Sequence, residues 1–582
     1  MAKAVIMIIA LLTCIMLGTA AYSGYSILNL GVSQPNSGNI SPSSLIIHTT
    51  LAADSKGNIT VSSSGSNNES SLFHNQTDTK EWLTYHHDFF RTGFDSYNLR
   101  AFNNNNNNNN SASLSINNNW TSDPLDGITY SEPLVARSMV FVATSNNTIY
   151  SLDSNTGKVI WRTNFGPPVP LSDLPCGNID PTGIIGTPVI DLGTQTIFAV
   201  GFLGATHTHE LFALDINTGK IRLESPIDPP SSDPKVQQQR GALALSYYND
   251  NNSGTGDGAT VVGAGDGIIV YVPFGGLYGD CGQYHGWIVG APIPYLALSS
   301  SNNSINNNSS ASSTGIGTGG RGEGKQQLPL MSFQVPTHRE AGIWAPSGPA
   351  IDQNGSILVA TGNGESNTNF DFGNSVIKLS PQLEKVIDWF APSNWAELSR
   401  SDTDLGSVGP SILGDSNISD QDMNDTDFTS NSTIFQIGKE GIGYLLRGDE
   451  LGGNNGQIFS APVCEKGAYG GTAYAAPYLF VPCRDGLVAL YLQSATAADS
   501  NNYSSFTVRW TGPSFNAGPP IVADGLVWTV NINKGQLVAF DQSTGKILFQ
   551  QSLGDVAHFS TPSSSHGKIF VAASNKIFSF VL

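Results

Sequence analysis

The sequence predicts an all-β protein, an eight-bladed β-propeller built of four-stranded antiparallel blades. The main observation is a phrase that recurs with nearly unchanged wording: IYSLDSNTGKVIW at 149–161, LFALDINTGKIRL at 211–223 and LVAFDQSTGKILF at 537–549. A unit of this kind cannot bury both of its faces alone, so repetition indicates a solenoid or a propeller. Two further observations select the propeller: the number of weaker copies, and the way in which the two ends of the chain match.

Each copy of the phrase reads as two antiparallel strands joined by a tight turn, because apolar residues alternate on both sides of Asp-x-x-Thr-Gly-Lys. The Asp side chain can accept hydrogen bonds from the turn amides, and the Gly can take the positive φ that a bulged hairpin needs. The residues concerned are Asp153, Asp215 and Asp541, with Gly157, Gly219 and Gly545.

Weaker copies of the same unit bring the number of units to eight. In each unit a Pro or a small residue opens one strand, a second strand follows, and a strand like that of the phrase comes third. Their spacing fits four-stranded blades of roughly 40 to 60 residues. The third strands are expected near Asp153, Asp215, Ala291, Ser380, Arg447, Tyr491, Asp541 and Phe580.

The two ends of the globular part predict how the ring closes. The last unit, which ends at Leu582, stops before its Trp-containing outer strand, and a spare strand of that type lies around Trp120. Pairing the two would complete one blade from both termini and remove two exposed strand edges, which otherwise invite aggregation. In the alternative interpretation, Trp120 caps a loop.

The N-terminal segments are expected to lie outside the propeller. Residues 1–21 carry Lys3, an apolar run and a small-residue end, which is the layout of a secretory signal peptide; an uncleaved membrane anchor is the alternative. Residues 22–79 are rich in Ser and Asn and are predicted to be a disordered linker, leaving 80–582 for the propeller. An exported protein, secreted or attached to the cell surface, follows from this layout.

Polar insertions between the units are predicted to be disordered surface loops. Many of them, and the linker, contain Asn-X-Ser/Thr triplets, which suit an exported glycoprotein. The insertions lie near 103–110, 299–324 and 415–431. The triplets begin at Asn58, Asn68, Asn75, Asn302, Asn307, Asn417, Asn424 and Asn431.

Four cysteines follow Cys14, and an even number in an exported chain allows two disulfides with three connectivities. Cys464 and Cys483 flank one predicted strand pair and are the favoured partners, which leaves Cys176 with Cys281.

Composition excludes several partners. The formal net charge is −19 and the isoelectric point is about 4.8, whereas nucleic acid or an anionic membrane surface would require a basic patch. The 63 glycines and the low share of charged residues, 13%, suit a turn-rich β protein.

Longer motifs carry a resemblance to a known superfamily. The ALD-x-x-TGK-x-x-W unit resembles the repeat of the pyrroloquinoline quinone (PQQ) propellers, which include quinoprotein alcohol dehydrogenases and non-enzymatic scaffolds of outer-membrane assembly. The chain is most similar to uncharacterised exported members of this superfamily. The motifs are WLTYHHDFFRTGFD at 82–95, LPCGNIDPTGIIGTPVID at 174–191, VPFGGLYGDCGQYHGW at 272–287 and DLGSVGP at 404–410.

The resemblance implies a set of site residues. Trp344 is similar to the Trp that stacks on the quinone, Asn363 to an Asn that coordinates calcium, and Lys439 to the basic residue that hydrogen-bonds the quinone oxygens. Asp402 lies where the family has its catalytic Asp, with Asp404 as the alternative. The implied chemistry is proton abstraction from an alcohol or sugar by the Asp, while calcium polarises the quinone.

Departures from the family pattern are equally specific. Leu277 stands where the family has a calcium-binding Glu, and leucine cannot ligate a cation that prefers oxygen donors. Asp280 could substitute if its loop turns inward. Ser401 replaces the usual Trp before the catalytic Asp, and Cys176 has no adjacent cysteine.

Two functions of different classes therefore follow from the sequence, and whether the protein is an enzyme stays open. One is an exported PQQ-dependent dehydrogenase that oxidises an alcohol or a sugar. The other is a non-catalytic cell-surface propeller that binds a protein or a glycan. His86, His87 and Asp88 look catalytic in isolation, but they precede the first blade, so we expect them to be structural.

Overall fold

The computed structural model describes residues 49–53, 59–63, 81–96, 116–248, 266–298, 327–414, 432–494 and 503–582. The chain divides into two compact units, Met1–Ser70 and Ser71–Leu582. In the first unit, Thr49–Ala53 pairs antiparallel with Ile59–Ser63. The predicted segment 1–21, the rest of the linker, the three insertions and the eight triplet asparagines lie outside the described residues.

The second unit is an eight-bladed propeller of antiparallel sheets, and the predicted fold is confirmed. We number the blades in chain order and letter their strands A to D in the order of pairing. Blades 1 to 4 comprise Leu134–Ala136, Met139–Thr144, Thr148–Asp153 and Val159–Asn164; Val189–Asp191, Thr196–Leu203, Thr208–Asp215 and Ile221–Pro226; Ala244–Tyr248, Gly267–Gly276, Trp287–Pro294 and Met331–Gln334; and Ala350–Ile351, Ile357–Ala360, Val376–Leu379 and Val386–Ala391.

The remaining four blades follow the same order. They comprise Ser411–Leu413, Thr433–Gln436, Ile442–Arg447 and Phe459–Pro462; Ala473–Ala475, Tyr478–Cys483, Gly486–Ser494 and Tyr503–Thr511; Ile521–Ala523, Leu526–Asn531, Gln536–Asp541 and Ile547–Ser552; and Ser563–Ser565, Lys568–Ala573, Lys576–Val581 and Asn117–Thr121. Two short strands extend this pattern, Gln237–Gln238 in blade 3 and Gly453–Asn454 in blade 4. Each of the eight predicted third strands is strand C of a blade.

Helices are short in the described part of the chain. They are the α-helices Tyr295–Leu298 and Trp395–Arg400 and the 3-10 helices Leu171–Asp173 and Leu405–Ser407. None of the helices in the described residues has the length and apolar character needed to cross a membrane.

The repeated phrase forms the predicted turn between strands C and D. In blade 1, Asp153 Oδ1 accepts hydrogen bonds from the backbone N–H groups of Asn155 (3.0 Å) and Thr156 (2.8 Å) and from the Thr156 hydroxyl (2.9 Å). Gly157 has φ +70°, and its N–H donates to the Asp153 carbonyl. The turn is therefore held by residues within five positions of one another.

The glycine of this turn also receives a tryptophan from strand D of the preceding blade. The Trp161 ring lies over Gly219, where an added Cβ would clash with it, and its Nε1 donates to the Ile216 carbonyl at 2.9 Å. Trp510 docks on Gly545 in the same way. The Gly and the Trp of the TGK-x-x-W motif therefore form inter-blade contacts, in which the Gly of one blade accommodates the Trp of its neighbour.

Trp120 makes this contact across the closure of the ring. Its strand, Asn117–Thr121, pairs antiparallel with Lys576–Val581. The Trp120 indole packs on Gly157 and donates to the Ser154 carbonyl at 3.0 Å. The predicted closure is confirmed, and the alternative of a loop cap is wrong.

Residues 81–96, which we call the clasp, hydrogen-bond to all eight blades at or beside strand A. This segment contains the WLTYHHDFFRTGFD motif, and backbone bonds link Trp82 to Val135 in both directions. Seven of the other contacts complete the ring: Leu83 with Ile190, Arg91 with Leu243, Phe89 with Ile351, Phe90 with Ile412, Thr92 with Tyr474, Gly93 with Val522 and Asp95 with Ser564.

Two buried charges stabilise the clasp. The Arg91 side chain is 1% exposed and donates to four acceptors, the carbonyls of Tyr85, Leu243 and Pro349 and the Thr84 hydroxyl. Burial lowers the pKa of Arg91 to about 10.

The second charge is the Glu132 carboxyl, which accepts hydrogen bonds from the Trp82 indole and the His86 backbone N–H. Burial raises the pKa of Glu132 and lowers that of His86 to about 3. The His86 side chain is fully buried within the clasp, and Asp88 accepts the Thr92 N–H. His86 and Asp88 of the motif therefore occupy structural positions within the clasp.

Replacing Trp120 with Ala tests the closure. Loss of a largely buried Trp leaves a cavity between blades 8 and 1, so we expect about 3–5 kcal/mol lower stability, measured as a shift of the urea midpoint. Trp120→Phe should lose less. Equal stability of Trp120→Ala and the unchanged protein would contradict the closure.

Replacing Arg91 with Met tests the clasp. Four buried acceptors lose their donor, so we expect a loss of about 3 kcal/mol or more in urea unfolding. The control is Arg509→Met on exposed strand D of blade 6, for which we expect a change within about 0.5 kcal/mol. Equal midpoints for the two variants would refute a stabilising role of the clasp.

Candidate functional site

A cavity of about 760 Å³ opens on one face of the propeller. Its lining comes from the connections that precede strand A and from the turns between strands B and C. Because these segments recur at fixed places in each unit, residues from distant parts of the chain meet there. All six predicted site residues line this cavity: Asp280, Trp344, Asn363, Asp402, Asp404 and Lys439.

Lys439 lies between the two aspartates. Its Nζ is 2.5 Å from Asp404 Oδ2 and 3.1 Å from Asp402 Oδ1. The Asp402 side chain is 75% exposed and the Asp404 side chain is 10% exposed. Asp402 therefore presents its carboxylate to the cavity, whereas Asp404 is buried beneath it.

Asn363 positions both aspartates. Its side-chain amide donates to Asp402 Oδ1 and its backbone N–H donates to Asp404 Oδ1, each at 2.8 Å. Behind it, the Asn374 side-chain amide donates to Asn363 Oδ1 at 3.2 Å, and Asn374 Oδ1 accepts the Leu405 N–H at 2.8 Å. Both oxygens of Asp404 are thus engaged, and the turn that carries Asn363 is tied to the segment that carries the aspartates.

Burial and charge shift two of these groups. Burial raises the pKa of the Asp404 carboxyl, although the Lys439 ammonium and the Asn363 N–H oppose the shift. Burial also disfavours the charge on Lys439, but the carboxylates of Asp404 and Asp402 outweigh it and raise the pKa of Lys439. The ammonium is therefore charged at neutral pH.

The residues at the implied calcium position do not form a set of oxygen donors. Leu277 is 2% exposed and packs with Val169, Leu174 and Phe202. The Asp280 carboxylate instead accepts the Tyr284 hydroxyl at 2.5 Å. Within the described ranges, no group of three or more His, Cys, Asp or Glu side chains could hold a metal ion.

An aromatic wall runs along the cavity from Lys439. The ammonium is 5.9 Å from the centre of the Trp344 ring, and Trp344 lies 6.3 Å from Tyr469. Tyr469 and Phe559 are stacked with ring centres 6.1 Å apart. Because the Trp344 and Tyr469 rings are inclined by 50° to each other, the three rings form a curved wall of the cavity.

The sequence reasoning missed the far end of this wall. Arg240 Cζ lies 4.6 Å from the Phe559 ring centre, and Arg484 Cζ lies 5.6 Å from that of Tyr469. His558 lines the same end. None of these residues belongs to a recognised motif. Only their positions in the repeat, before strand A or between strands B and C, could have identified them as cavity residues.

The four cysteines form the disulfides Cys176–Cys281 and Cys464–Cys483. The first joins the connection before blade 2 to the B–C turn of blade 3, next to Asp280 in the cavity wall. The second joins the connection after strand D of blade 5 to strand B of blade 6. Both link segments of adjacent blades.

Comparison with known proteins agrees with the repeat. A sequence model of the family described as outer membrane protein assembly factor BamB, built on PQQ repeats, matches residues 115–249 and 494–581. The matched parts of the chain therefore carry the PQQ repeat. They include blades 1, 2, 7 and 8, which carry all three of the clearest copies of the phrase and the closing strand. A search of curated protein sequences finds no significant match.

Solved structures share the propeller fold of this chain. A quinohemoprotein alcohol dehydrogenase from Pseudomonas putida HK5 has a TM-score of 0.57 and 12% identity, covering 87% of this chain and 80% of that one. The quinohemoprotein alcohol dehydrogenase of Comamonas testosteroni has a TM-score of 0.54 and 14% identity, covering 88% and 82%. A europium-containing methanol dehydrogenase has a TM-score of 0.54 and 14% identity, covering 87% and 99%.

Replacing Lys439 with Met tests the charge pair. At pH 7.5 the variant buries the Asp404 carboxylate without its ammonium partner, so we expect a loss of about 3 kcal/mol in urea unfolding. The raised pKa of Asp404 means that the folded state binds its proton more tightly than the unfolded state, whose pKa is about 3.9. Near pH 4 the carboxyl takes up a proton, and the loss should shrink.

Lys576→Met, on exposed strand C of blade 8, is the control and should show no comparable loss at either pH. An equal loss at pH 4 and pH 7.5 for Lys439→Met would contradict the pairing with Asp404.

Proposed function

We propose that this propeller is a quinoprotein dehydrogenase, which binds pyrroloquinoline quinone in its cavity and oxidises an alcohol or a sugar. The observation that carries the proposal is the exposed carboxylate of Asp402, oriented by Asn363 and Lys439 and placed in one cavity with Trp344. A carboxylate held in place within a cavity is suited to act as a general base.

In this proposal, Asp402 takes the proton of the substrate hydroxyl. Asp404 is less suited to that role because both of its oxygens are engaged, so it positions Lys439. Lys439 stays protonated and would present its ammonium to the quinone oxygens, and Trp344 would offer a flat face to the ring system. When bound, the quinone would supply the acceptor for the hydride that leaves the carbon bearing the hydroxyl, that is, two electrons and the hydrogen of the C–H bond that breaks.

The donor set supports quinone binding without calcium. The ammonium of Lys439 already lies between the carboxylates of Asp402 and Asp404, and Leu277 adds only carbon atoms. Calcium takes six to eight oxygen ligands, which this arrangement does not offer. We therefore expect the proposed activity to be insensitive to chelators.

The competing proposal is a non-catalytic propeller at the cell surface that binds a protein or a glycan. The replacement of a calcium-binding Glu by Leu277, which packs into an apolar cluster, favours it. Absence of quinone binding by the purified protein would support this scaffold function.

Export is also a proposal, either as a secreted protein or with an N-terminal membrane tether. Two disulfides support it, because disulfides persist in oxidising compartments. Mass spectrometry of the protein from its native cells should find both disulfides. It should also find a mature N-terminus after residue 21 if the segment is a signal peptide, or the intact N-terminus if the segment is a tether. Free thiols at all four positions would contradict export.

Titration with the quinone tests the dehydrogenase. We expect purified protein to bind PQQ, seen as a change in its absorbance, and to reduce a dye when supplied with a responsive alcohol or sugar. Asp402→Asn should bind the quinone as before but lose about 10²–10⁴-fold in kcat, because the base is absent. Asp123→Asn, at an exposed position, is the matched control. Unchanged dye reduction by Asp402→Asn would refute its assignment as base, and loss of turnover in EDTA would refute the calcium-free site.

A further inference from the structure

The end of the cavity opposite Lys439 carries two arginines without an acidic partner. Arg240 and Arg484 both line the cavity, and each guanidinium lies over an aromatic ring. Among the described residues, no Asp or Glu lies within ion-pair distance of either one. The positive charge at this end of the cavity is therefore not neutralised by the protein.

Four arginines outside the cavity are each paired with a carboxylate: Arg222, Arg339, Arg400 and Arg447. Arg137, Arg162 and Arg509 have no ion pair with another described residue, but each of them is exposed to solvent. Arg240 and Arg484 differ from both groups because they lie together in one cavity.

Arg240 is partly buried and Arg484 is exposed. Arg240 also borders a second, much smaller cavity together with Tyr85 of the clasp. Burial lowers the pKa of Arg240 to about 10, and burial together with Arg240 and Arg484 lowers the pKa of His558. A charge that is partly removed from water is stabilised by an opposite charge, and an anion would supply that partner for Arg240.

The geometry of the guanidinium groups indicates which anion. Arginine presents a planar set of donors that matches a carboxylate, and the guanidinium groups of Arg240 and Arg484 lie over the rings of Phe559 and Tyr469. At the other end, Asp402 repels a second carboxylate and favours a hydroxyl. The ligand that fits has a carboxylate at one end and neutral oxygen groups at the other.

We propose that Arg240 and Arg484 form an anion subsite that binds a carboxylate of the cavity's ligand, which is therefore an organic anion. The carboxylate can belong to a sugar acid or hydroxy acid used as substrate, an extension that rests on the proposed dehydrogenase, or to the quinone cofactor. The subsite itself requires no turnover. Anion binding and dye reduction can therefore fail independently.

Calorimetric titration of the full-length protein at low ionic strength tests the subsite. The probes are benzene-1,3,5-tricarboxylate, D-glucuronate, its neutral counterpart D-glucose, and PQQ. We expect at least one carboxylate probe to bind, with affinity falling as salt is added. Glucose should bind more weakly than glucuronate if the carboxylate belongs to the substrate.

Arg484→Gln should lower the affinity for the carboxylate probe that binds by about tenfold or more, because the substitution removes a charge-assisted contact. Arg509→Gln, on exposed strand D of the same blade, should leave the affinity unchanged. Arg240→Gln should act like Arg484→Gln; if its circular dichroism shows that it does not fold, the exposed Arg484 position decides. A loss confined to glucuronate assigns the subsite to substrate, and a loss confined to PQQ assigns it to cofactor.

Carboxylate affinity unchanged in Arg484→Gln, or no carboxylate binding by the unsubstituted protein, would overturn the subsite. Anion binding that depends on Arg484 without any dye reduction would leave the subsite in place and refute the dehydrogenase.

Discussion

The docking of a tryptophan from one blade onto the turn glycine of the next is the contact on which the ring depends. Trp161 on Gly219 and Trp510 on Gly545 join consecutive blades, and Trp120 on Gly157 joins the last blade to the first. Glycine is required twice over, because its φ is near +70° and because a Cβ would clash with the indole. One local turn therefore sets both the shape of a blade and its distance from its neighbour.

The clasp also holds the ring together, through contacts at or beside strand A of each blade. Since residues 81–96 bond to every blade, each strand A is held at one radius, and Arg91 and Glu132 satisfy the polar groups that this crossing buries. The connections before strand A begin at these anchored positions. The cavity is lined by such connections, so the clasp gives its wall a rigid base although it contributes no predicted site residue.

The cavity separates two kinds of charge. Near blade 5, Lys439 lies between two aspartates, and Asp402 faces the interior. Near blades 3 and 6, Arg240 and Arg484 have no carboxylate partner among the described residues. The aromatic wall of Trp344, Tyr469 and Phe559 lies along the path between the two ends. This distribution favours an elongated, flat anion over a neutral ligand and over a divalent cation.

The sequence by itself determined the number of blades, the closure and the shared location of Trp344, Asn363, Asp402 and Lys439. The blades and the closure could be predicted because the turn chemistry is local and repeated, and the four site residues because the resemblance to the PQQ propellers implied one common site for them. Only the tertiary structure decided that Asp280 bonds to Tyr284, that Asp402 is exposed while Asp404 is buried, and that Arg240 and Arg484 lack partners. Burial and pairing depend on groups brought together from distant blades, and no local pattern records them.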